Sequence, residues 1–200
     1  MTADFTQRAP EPADEIVARD AEAIDATRRW IEHVVIGLNL CPFARAPFVH
    51  DRVRLSVSAA CETDALLVDL HHELELLQAA DALICETTLL IHPHVLGDFF
   101  AYNDFLDAAD GALESLGLHG ELQIASFHPA YQFAGTAFDD IENHTNRSPY
   151  PTLHLLRESS IARAVAGMSD TQDIYRRNIH TLREIGIDGL RSTLQGGTKP

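Results

Sequence analysis

The sequence is poor in basic residues, and lysine is almost absent from it. Lys199 is the only lysine, and 15 lysines and arginines stand against 30 aspartates and glutamates, which gives a formal net charge of -15. A charge of that size repels phosphate backbones and anionic lipid headgroups. We therefore expect neither nucleic acid nor a membrane surface among the partners, and no apolar run is long enough to span a bilayer.

Cysteine is also scarce. Cys41, Cys61 and Cys85 are an odd number without C-x-x-C spacing, which argues against a disulfide framework and against a four-thiolate zinc site. The first twenty residues carry two prolines and repeated acidic residues without an apolar segment, which is unlike a signal peptide. We expect a soluble, cytoplasmic protein in a reducing compartment.

The usual nucleotide-binding and hydrolase signatures are missing as well. No G-x-G-x-x-G, Walker or G-x-S-x-G motif occurs, so no short motif names a reaction. The composition is that of an ordinary globular protein, 46% hydrophobic and 22% charged over 200 residues, and it suits one core. We predict a single domain over 15–194, between disordered tails at 1–14 and 195–200.

Hydrophobic periodicity predicts helices that alternate with strands. Periods of three and four residues indicate helices, and a period of two indicates a half-buried strand. The predicted elements are a helix from about 15 to 42, strand 53–57, a helix with Leu66, Leu67, Leu70, Leu74 and Leu77 on one face, strand 86–92, helix 98–116, strand 120–127, a loop over 128–150, a helix over 151–166, and a last helix capped by Ser169 and Gln172. This order predicts an α/β fold with a small, mainly parallel sheet of βαβ units covered by helices.

Two predicted strands end in the same dipeptide, His92-Pro93 and His128-Pro129. If a crossover helix joins the strands, they run parallel and both histidines emerge at one carboxyl edge, where open α/β sheets bind ligands. Histidine can act there as an acid, a base or a metal ligand. The alternative is that each histidine only caps its strand. His94 offers a further ligand of uncertain direction.

The loop from 128 to 150 is longer than compact domains usually keep without a purpose. It holds hydrogen-bonding side chains that could close over a small ligand, among them Tyr131, Asn146 and Arg147. The alternative is a segment that only packs its phenylalanines on the core.

Three residues outside that loop are further candidates. Cys41 precedes a proline at a predicted helix end, where either ligand contact or inert packing fits. His154 and Arg157 lie in the predicted helix over 151–166, where His154 pairs with Glu158 at i, i+4. An arginine of this kind can hold an anionic group in bidentate fashion.

Several longer motifs together resemble one known family. They are Gly-Leu-Asn-Leu-Cys-Pro-Phe-Ala over 37–44, Thr-Thr-Leu-Leu-Ile-His-Pro over 87–93, Tyr-Asn-Asp-Phe-Leu-Asp over 102–107, Ser-Phe-His-Pro over 126–129, Tyr-Gln-Phe-Ala-Gly over 131–135, and Asn-Arg-Ser-Pro-Tyr-Pro-Thr-Leu-His-Leu-Leu-Arg-Glu over 146–158. The likeness spans roughly 25 to 190 and is to the bacterial family of unknown function DUF1415. It implies a bacterial protein whose domain is complete in this chain, and it carries over no activity.

The residues support two hypotheses of function. The first is a small enzyme acting on a polar or anionic metabolite, with His92 and His128 as acid and base or as ligands of one divalent metal. His154 and Tyr131 would assist the chemistry, and Asn146, Arg147, Arg157 and Cys41 would contact the ligand. A metal would need a third ligand, such as His94, His154 or a loop carboxylate. The second hypothesis is a non-catalytic module that binds a small molecule or another protein.

Overall fold

The computed structural model describes residues 13–166 and 172–196. The predicted tails at 1–14 and 195–200 lie largely outside these ranges, as does Ser169 of the predicted capping box. Residues 13 and 14 already belong to the first helix, and residues 195 and 196 form a turn.

Within the described residues the chain forms six α-helices, one π-helical segment, one 3-10 turn and four strands. Most lie where the periodicity predicts them. They are α1 (Ala13–Arg29), a π-helix (Trp30–Ile36), α2 (Arg45–Val49), β1 (Val53–Val57), α3 (Thr63–Ala79), β2 (Thr87–Ile91), α4 (Phe99–Ser115), β3 (Leu122–Phe127), a 3-10 helix (Ile141–Thr145), β4 (Thr152–Arg157), α5 (Glu158–Val165) and α6 (Gln172–Leu194), which is interrupted at Gly186.

The sheet is mixed, so the predicted mainly parallel sheet is wrong. Its strand order is β1-β2-β4-β3, and only β1 and β2 pair in parallel. The strand β4 lies between β2 and β3 and runs antiparallel to both. The long loop before β4 lets the chain turn back, which a βαβ crossover would not do.

The predicted helix over 151–166 is wrong in its first half. Thr152–Arg157 is a strand, and the helix begins only at Glu158. Leu153 and Leu155 are fully buried on one face of this strand, as the period of two in a strand requires. The predicted i, i+4 pair of His154 and Glu158 therefore does not form on a helix.

One face of the sheet, called the closed face below, is covered by α3 and α4. Its core joins the leucines of α3 to the inward side chains of α4 and of the sheet: Leu66, Leu70, Leu74, Leu77, Tyr102, Phe105, Leu113, Leu90, Leu153 and Leu155. Burying each leucine stabilises the fold by about 1.5 to 3 kcal/mol. This face contributes the larger core.

Helix α4 matches the prediction closely. The Asp98 side chain caps it by accepting a hydrogen bond from the backbone N–H of Ala101 at 3.0 Å, as an N-cap residue should. The buried side chains include Phe105 and Leu113, whereas Leu106, which the pattern places on the buried stripe, is only half-buried. The helix face is therefore rotated slightly from the predicted one.

The opposite face, called the open face below, is covered only in part. The π-helix packs Trp30, Ile31 and Val34 against Leu89 of β2, together with Leu182 of α6. Gly37 ends the π-helix, and a Cβ atom at that position would lie 2.1 Å from the carbonyl oxygen of His33. The backbone can follow this turn only because residue 37 has no side chain.

Candidate functional site

His92 and His128 lie at the same edge of the sheet. Because β2 and β3 are both antiparallel to β4, they run parallel to each other with β4 between them. Ile91 and Phe127, which precede the two histidines, both stand opposite Thr152. The predicted common edge is confirmed, although the strands are not neighbours.

The ring nitrogens of the two histidines are largely used by the backbone. His92 Nδ1 lies 3.1 Å from the carbonyl oxygen of Val95, and His128 Nε2 lies 3.1 Å from that of Leu96. The backbone N–H of Ala130 donates to His128 Nδ1 at 3.0 Å. These partners assign neutral rings, with the proton on Nδ1 of His92 and on Nε2 of His128. Both side chains are fully buried.

Tyr102 of α4 packs between the two histidines. Its ring centroid lies 5.7 Å from that of His92 and 5.1 Å from that of His128. Its hydroxyl donates to the carbonyl oxygen of Thr152 at 2.9 Å and accepts from the backbone N–H of Phe127 at 3.1 Å. The hydroxyl therefore bridges β3 and β4 where the strand pair ends.

The histidines hold a strained turn. Leu96 has a positive φ of 58°, a conformation that costs a residue other than glycine about 1 to 2 kcal/mol. The hydrogen bonds from His92 and His128 to the carbonyls of Val95 and Leu96 help to offset that cost. Burial lowers the pKa of His92 to about 4 and also lowers the pKa of His128, so both rings are neutral near pH 7.

The described residues offer few protein ligands for a metal at this edge. His92 Nε2 is buried without a hydrogen-bond partner, which leaves one nitrogen available. Within the described part of the chain, however, no three side chains of His, Cys, Asp or Glu lie together in a metal-binding arrangement. His94 instead faces Asp20, with His94 Nε2 3.9 Å from the carboxylate oxygen. The metal-binding role of His92 and His128 stays a prediction.

The loop over 128–150 is held together by its own side chains. The Asn143 side chain accepts from the backbone of Phe133 at 3.0 Å and donates to the carbonyls of Ala137 and Phe138 at 2.8 and 3.2 Å. Arg147 donates to the carbonyls of Tyr131 and Phe138 at 3.1 and 2.6 Å. These bonds occupy Arg147 within the loop, where burial also lowers its pKa.

Two other loop residues make structural contacts. The Tyr131 ring packs against Phe99, with centroids 5.2 Å apart. The Asn146 side chain donates to the carbonyl oxygen of Ser126 at 3.1 Å and so ties the loop to β3.

A cavity of about 740 Å³ opens on the other face of the sheet. Its floor is formed by the open face, and its walls are formed by the π-helix, the segment 40–47 and parts of α5 and α6. Its lining is mainly apolar and aromatic: Trp30, Ile31, Val35, Leu40, Pro42, Phe43, Pro47, Val53, Leu89, Ala125, Phe127, Leu156, Ile161, Ile174 and Tyr175. The size is within the range of small-molecule sites, about 300 to 1,000 Å³.

His154 stands near the middle of the cavity floor. Its Nε2 lies 2.8 Å from the hydroxyl oxygen of Thr87, which itself donates to the carbonyl oxygen of Leu155 at 2.6 Å. Nε2 of His154 is therefore the donor, and Nδ1 carries the lone pair. Nδ1 has no hydrogen-bond partner among residues 13–166 and 172–196, and it is not among their buried orphan atoms. Burial lowers the pKa of His154 to about 4.

The predicted site residues fall into two groups. His154, Cys41, Asn146 and Arg157 line the cavity, whereas His92, His128, Tyr131 and Arg147 do not. The sequence reasoning assigned both groups to one site, and it placed His154 on a helix. The alternation of Thr152, His154 and Leu156 was the available signal for a strand, and it was missed.

Cys41 and Arg157, which also line the cavity, are constrained by the protein around them. Burial raises the pKa of the Cys41 thiol. Hydrogen bonds from the backbone N–H groups of Phe43 and Ala44 lower this pKa, but they offset the effect of burial only in part. Arg157 donates to the carbonyl oxygens of Leu77, Ala80 and Cys85, where the helix α3 ends. One nitrogen of this guanidinium, Nη2, is therefore engaged by the protein itself, whereas Nε is buried without a hydrogen-bond partner among the described residues.

Trp30, Gln123 and Thr87 are among the cavity residues that the sequence reasoning missed. Trp30 is the only tryptophan of the chain, and its ring lies edge-on to Phe127 with centroids 5.3 Å apart. Gln123 and Thr87 stand on the cavity floor with His154. The predicted strand over 120–127 was a usable signal for Gln123, because the period of two in a strand places Gln123, Ala125 and Phe127 on the same face.

The fold and the cavity define an α/β protein whose mixed sheet carries helices on one face and a concave, mainly apolar site on the other. A family model described as protein of unknown function (DUF1415) matches residues 22–192, so the chain belongs to the DUF1415 family. Neither a curated protein nor a solved structure matches the chain. Among the described residues, no helix has the length and apolar character needed to cross a membrane.

Proposed function

We propose that this protein binds a small, mainly apolar molecule in the cavity of the open face. The observation that supports the proposal best is the lone pair of His154 Nδ1 on the floor of a cavity of about 740 Å³. Apolar concave sites with a few well-placed polar groups are the usual form of small-molecule sites. This is the binding alternative of the two hypotheses from the sequence.

The chemistry of the cavity favours binding over catalysis. A histidine whose pKa lies at about 4 is a weak base near pH 7, whereas efficient general bases have pKa values close to the working pH. The Cys41 thiol has a raised pKa, so it supplies little thiolate, which is the nucleophilic form. The Thr87 hydroxyl is committed to Leu155.

Binding can be measured with Nile red, a neutral apolar dye, by quenching of Trp30 fluorescence. Ala125 is half-buried on the cavity floor, and Ala125→Phe would fill the space beside His154. We expect this variant to bind the dye at least about tenfold more weakly, a loss of about 1.4 kcal/mol. Ala108→Phe places the same side chain at an exposed position of α4 and should bind as the wild type does. Unchanged binding by Ala125→Phe would contradict the proposal.

A second candidate is a His-based enzyme site at the sheet edge, with or without one divalent metal. It is supported by the shared edge of His92 and His128 and by the unpartnered Nε2 of His92. Elemental analysis of the purified wild type beside a His92→Ala variant tests the metal form. Stoichiometric metal that disappears in the variant would support it, and a metal-free wild type would contradict it.

We also propose a cytoplasmic setting without nucleic-acid partners. The net charge of -15 and three free cysteines, Cys41, Cys61 and Cys85, support this. Salt-independent failure to retain DNA or RNA in a filter assay is the expected result.

A further inference from the structure

Two polar side chains on the cavity floor have no partner within the described residues. One is His154, whose Nδ1 lone pair is free, and the other is Gln123, whose amide makes no hydrogen bond there. Neither group is sealed in the core, because neither Nδ1 of His154 nor the amide of Gln123 is among the fully buried orphan atoms of those residues. An acceptor and a donor-bearing amide are thus both open to a ligand.

The strand register places these two groups side by side. Ala125 stands directly opposite His154, and Gln123 stands opposite Leu156. Gln123 and His154 are therefore diagonal neighbours on one face, about 7 to 8 Å apart, within reach of long side chains. Ala125 offers only a methyl group beside His154, which leaves room for a ligand atom. Phe127, the other diagonal neighbour, has its ring centroid 6.0 Å from that of His154.

We propose that the ligand carries a hydroxyl group on an apolar body, and that this hydroxyl donates to His154 Nδ1 and accepts from the Gln123 amide. The inference rests on the proposed binding function and specifies its ligand class. A hydroxyl both donates and accepts, so it satisfies both open groups at one point. The aromatic wall of Trp30 and Phe127 then contacts the apolar body.

Other headgroups fit the same point less well. A carboxylate can only accept, so one of its oxygens would face the lone pair of neutral His154 in a site of low polarity. An ether can accept from Gln123 but donates nothing to His154. An anion would also enter against the field of a protein with a net charge of -15.

Three probes with one apolar body separate these cases: phenylbutanol, its methyl ether and phenylbutyrate. Their binding is followed by the fluorescence of Trp30, which belongs to the cavity wall. We expect the alcohol to bind about three- to tenfold more tightly than the ether, which is the usual value of one net hydrogen bond. Phenylbutyrate should bind most weakly.

Two variants then remove one polar group each. In His154→Phe the ring stays aromatic without an acceptor, and in Gln123→Leu the amide is lost at similar size. In His154→Phe the alcohol should lose its advantage over the ether, while the affinity for the ether stays within about twofold. In Gln123→Leu the alcohol and the ether should both bind about three- to tenfold more weakly, because both lose the hydrogen bond from the amide. Thermal unfolding checks that each variant folds. If His154→Phe does not fold, Gln123→Leu still tests the proposal through the affinity of the alcohol, because the side-chain amide of Gln123 makes no hydrogen bond within the described residues.

The outcomes separate the two proposals. Equal binding of alcohol and ether by the wild type, or tightest binding of phenylbutyrate, would overturn the hydroxyl inference and leave a small-molecule site in place. An alcohol advantage that survives in His154→Phe, or an unchanged affinity for the alcohol in Gln123→Leu, would also overturn it. Failure of all three probes and of Nile red would overturn the binding function itself.

Discussion

The two faces of the sheet differ in how their polar groups are used. On the closed face, His92 and His128 are fully buried, and their ring N–H groups donate to the carbonyl oxygens of Val95 and Leu96. On the open face, His154 keeps one nitrogen free above a cavity. All three have lowered pKa values because of burial. A perturbed histidine therefore does not mark a site by itself, and the free atom facing empty space is the better guide.

The same contrast should appear in stability. Leu113 of α4 is buried in the closed-face core, whereas Leu156 of β4 is half-buried and borders the cavity. We expect Leu113→Ala to lower the free energy of unfolding by about 2 to 5 kcal/mol. Leu156→Ala should cost less, about 1 to 2 kcal/mol, because its side chain already lacks neighbours on one side. Urea unfolding of both variants measures the difference.

Controls on α4 sharpen that comparison. Leu106→Ala should fall between the two leucine variants, since Leu106 is half-buried but packs against the closed-face core. Asp107→Ala should change stability by less than about 0.5 kcal/mol, since Asp107 is exposed. If Leu156→Ala were as costly as Leu113→Ala, the open face would be packed as tightly as the closed one.

The buried histidines should make the fold sensitive to acid. His92 has a pKa of about 4 in the folded protein against 6.5 for a free histidine. Between these values the unfolded chain binds more protons than the folded one. The contribution of neutral His92 to the free energy of unfolding is therefore fully present above about pH 6.5 and is lost as the pH falls towards about 4. The total loss due to His92 is on the order of 3 kcal/mol.

The variant His92→Asn separates the titration of His92 from that of the other groups that bind protons between pH 7 and 4. The amide nitrogen of asparagine can replace Nδ1 as donor to Val95 but does not titrate. Urea unfolding between pH 7 and 4 should show a shallower loss of stability in the variant than in the wild type. The slope will not vanish, because His128 and His154 also have lowered pKa values. An identical slope in both proteins would show that His92 does not titrate as described.

A single hydroxyl tests how the closed face holds the sheet edge. Tyr102→Phe removes the group that bridges Thr152 and Phe127 and leaves a buried carbonyl and N–H without their partner. We expect a loss of about 1 to 3 kcal/mol in the free energy of unfolding. Tyr175→Phe is the matched control on the cavity side, where the hydroxyl has no bond among the described residues and the side chain is 45% exposed. A comparable loss in both variants would contradict the bridging role.

How far the sequence predicts this molecule depends on whether the signal is local. The helix α4 was predicted almost to its ends because its period of three and four residues is a property of one segment. The strand β4 was missed because Pro151 and the leucines at 153 and 156 imitate the start of a helix, and because its partners in β2 lie more than sixty residues away. Neglect of that strand made the sheet look mainly parallel.

The candidate site was harder to predict than the fold. The two His-Pro pairs correctly indicated a shared sheet edge, but they gave no sign that backbone carbonyls would occupy the rings. The cavity depends on residues from Trp30 to Asn178, and its empty space arises where coverage of the sheet by the π-helix and α6 stops. No local pattern encodes where packing is incomplete.

Cysteine labelling gives the smallest expected effect and reports on the open face directly. Cys41 lines the cavity and its thiol has a raised pKa, whereas Cys61 is exposed. Because the thiolate is the reacting form, we expect iodoacetamide to modify Cys41 several-fold more slowly than Cys61, as measured by mass spectrometry of the separate peptides. Saturating Nile red should slow Cys41 by a further factor of about two to five and leave Cys61 unchanged. Equal protection of both thiols would mean that the dye acts through the whole fold, and no protection of Cys41 would place the dye away from the segment 40–47.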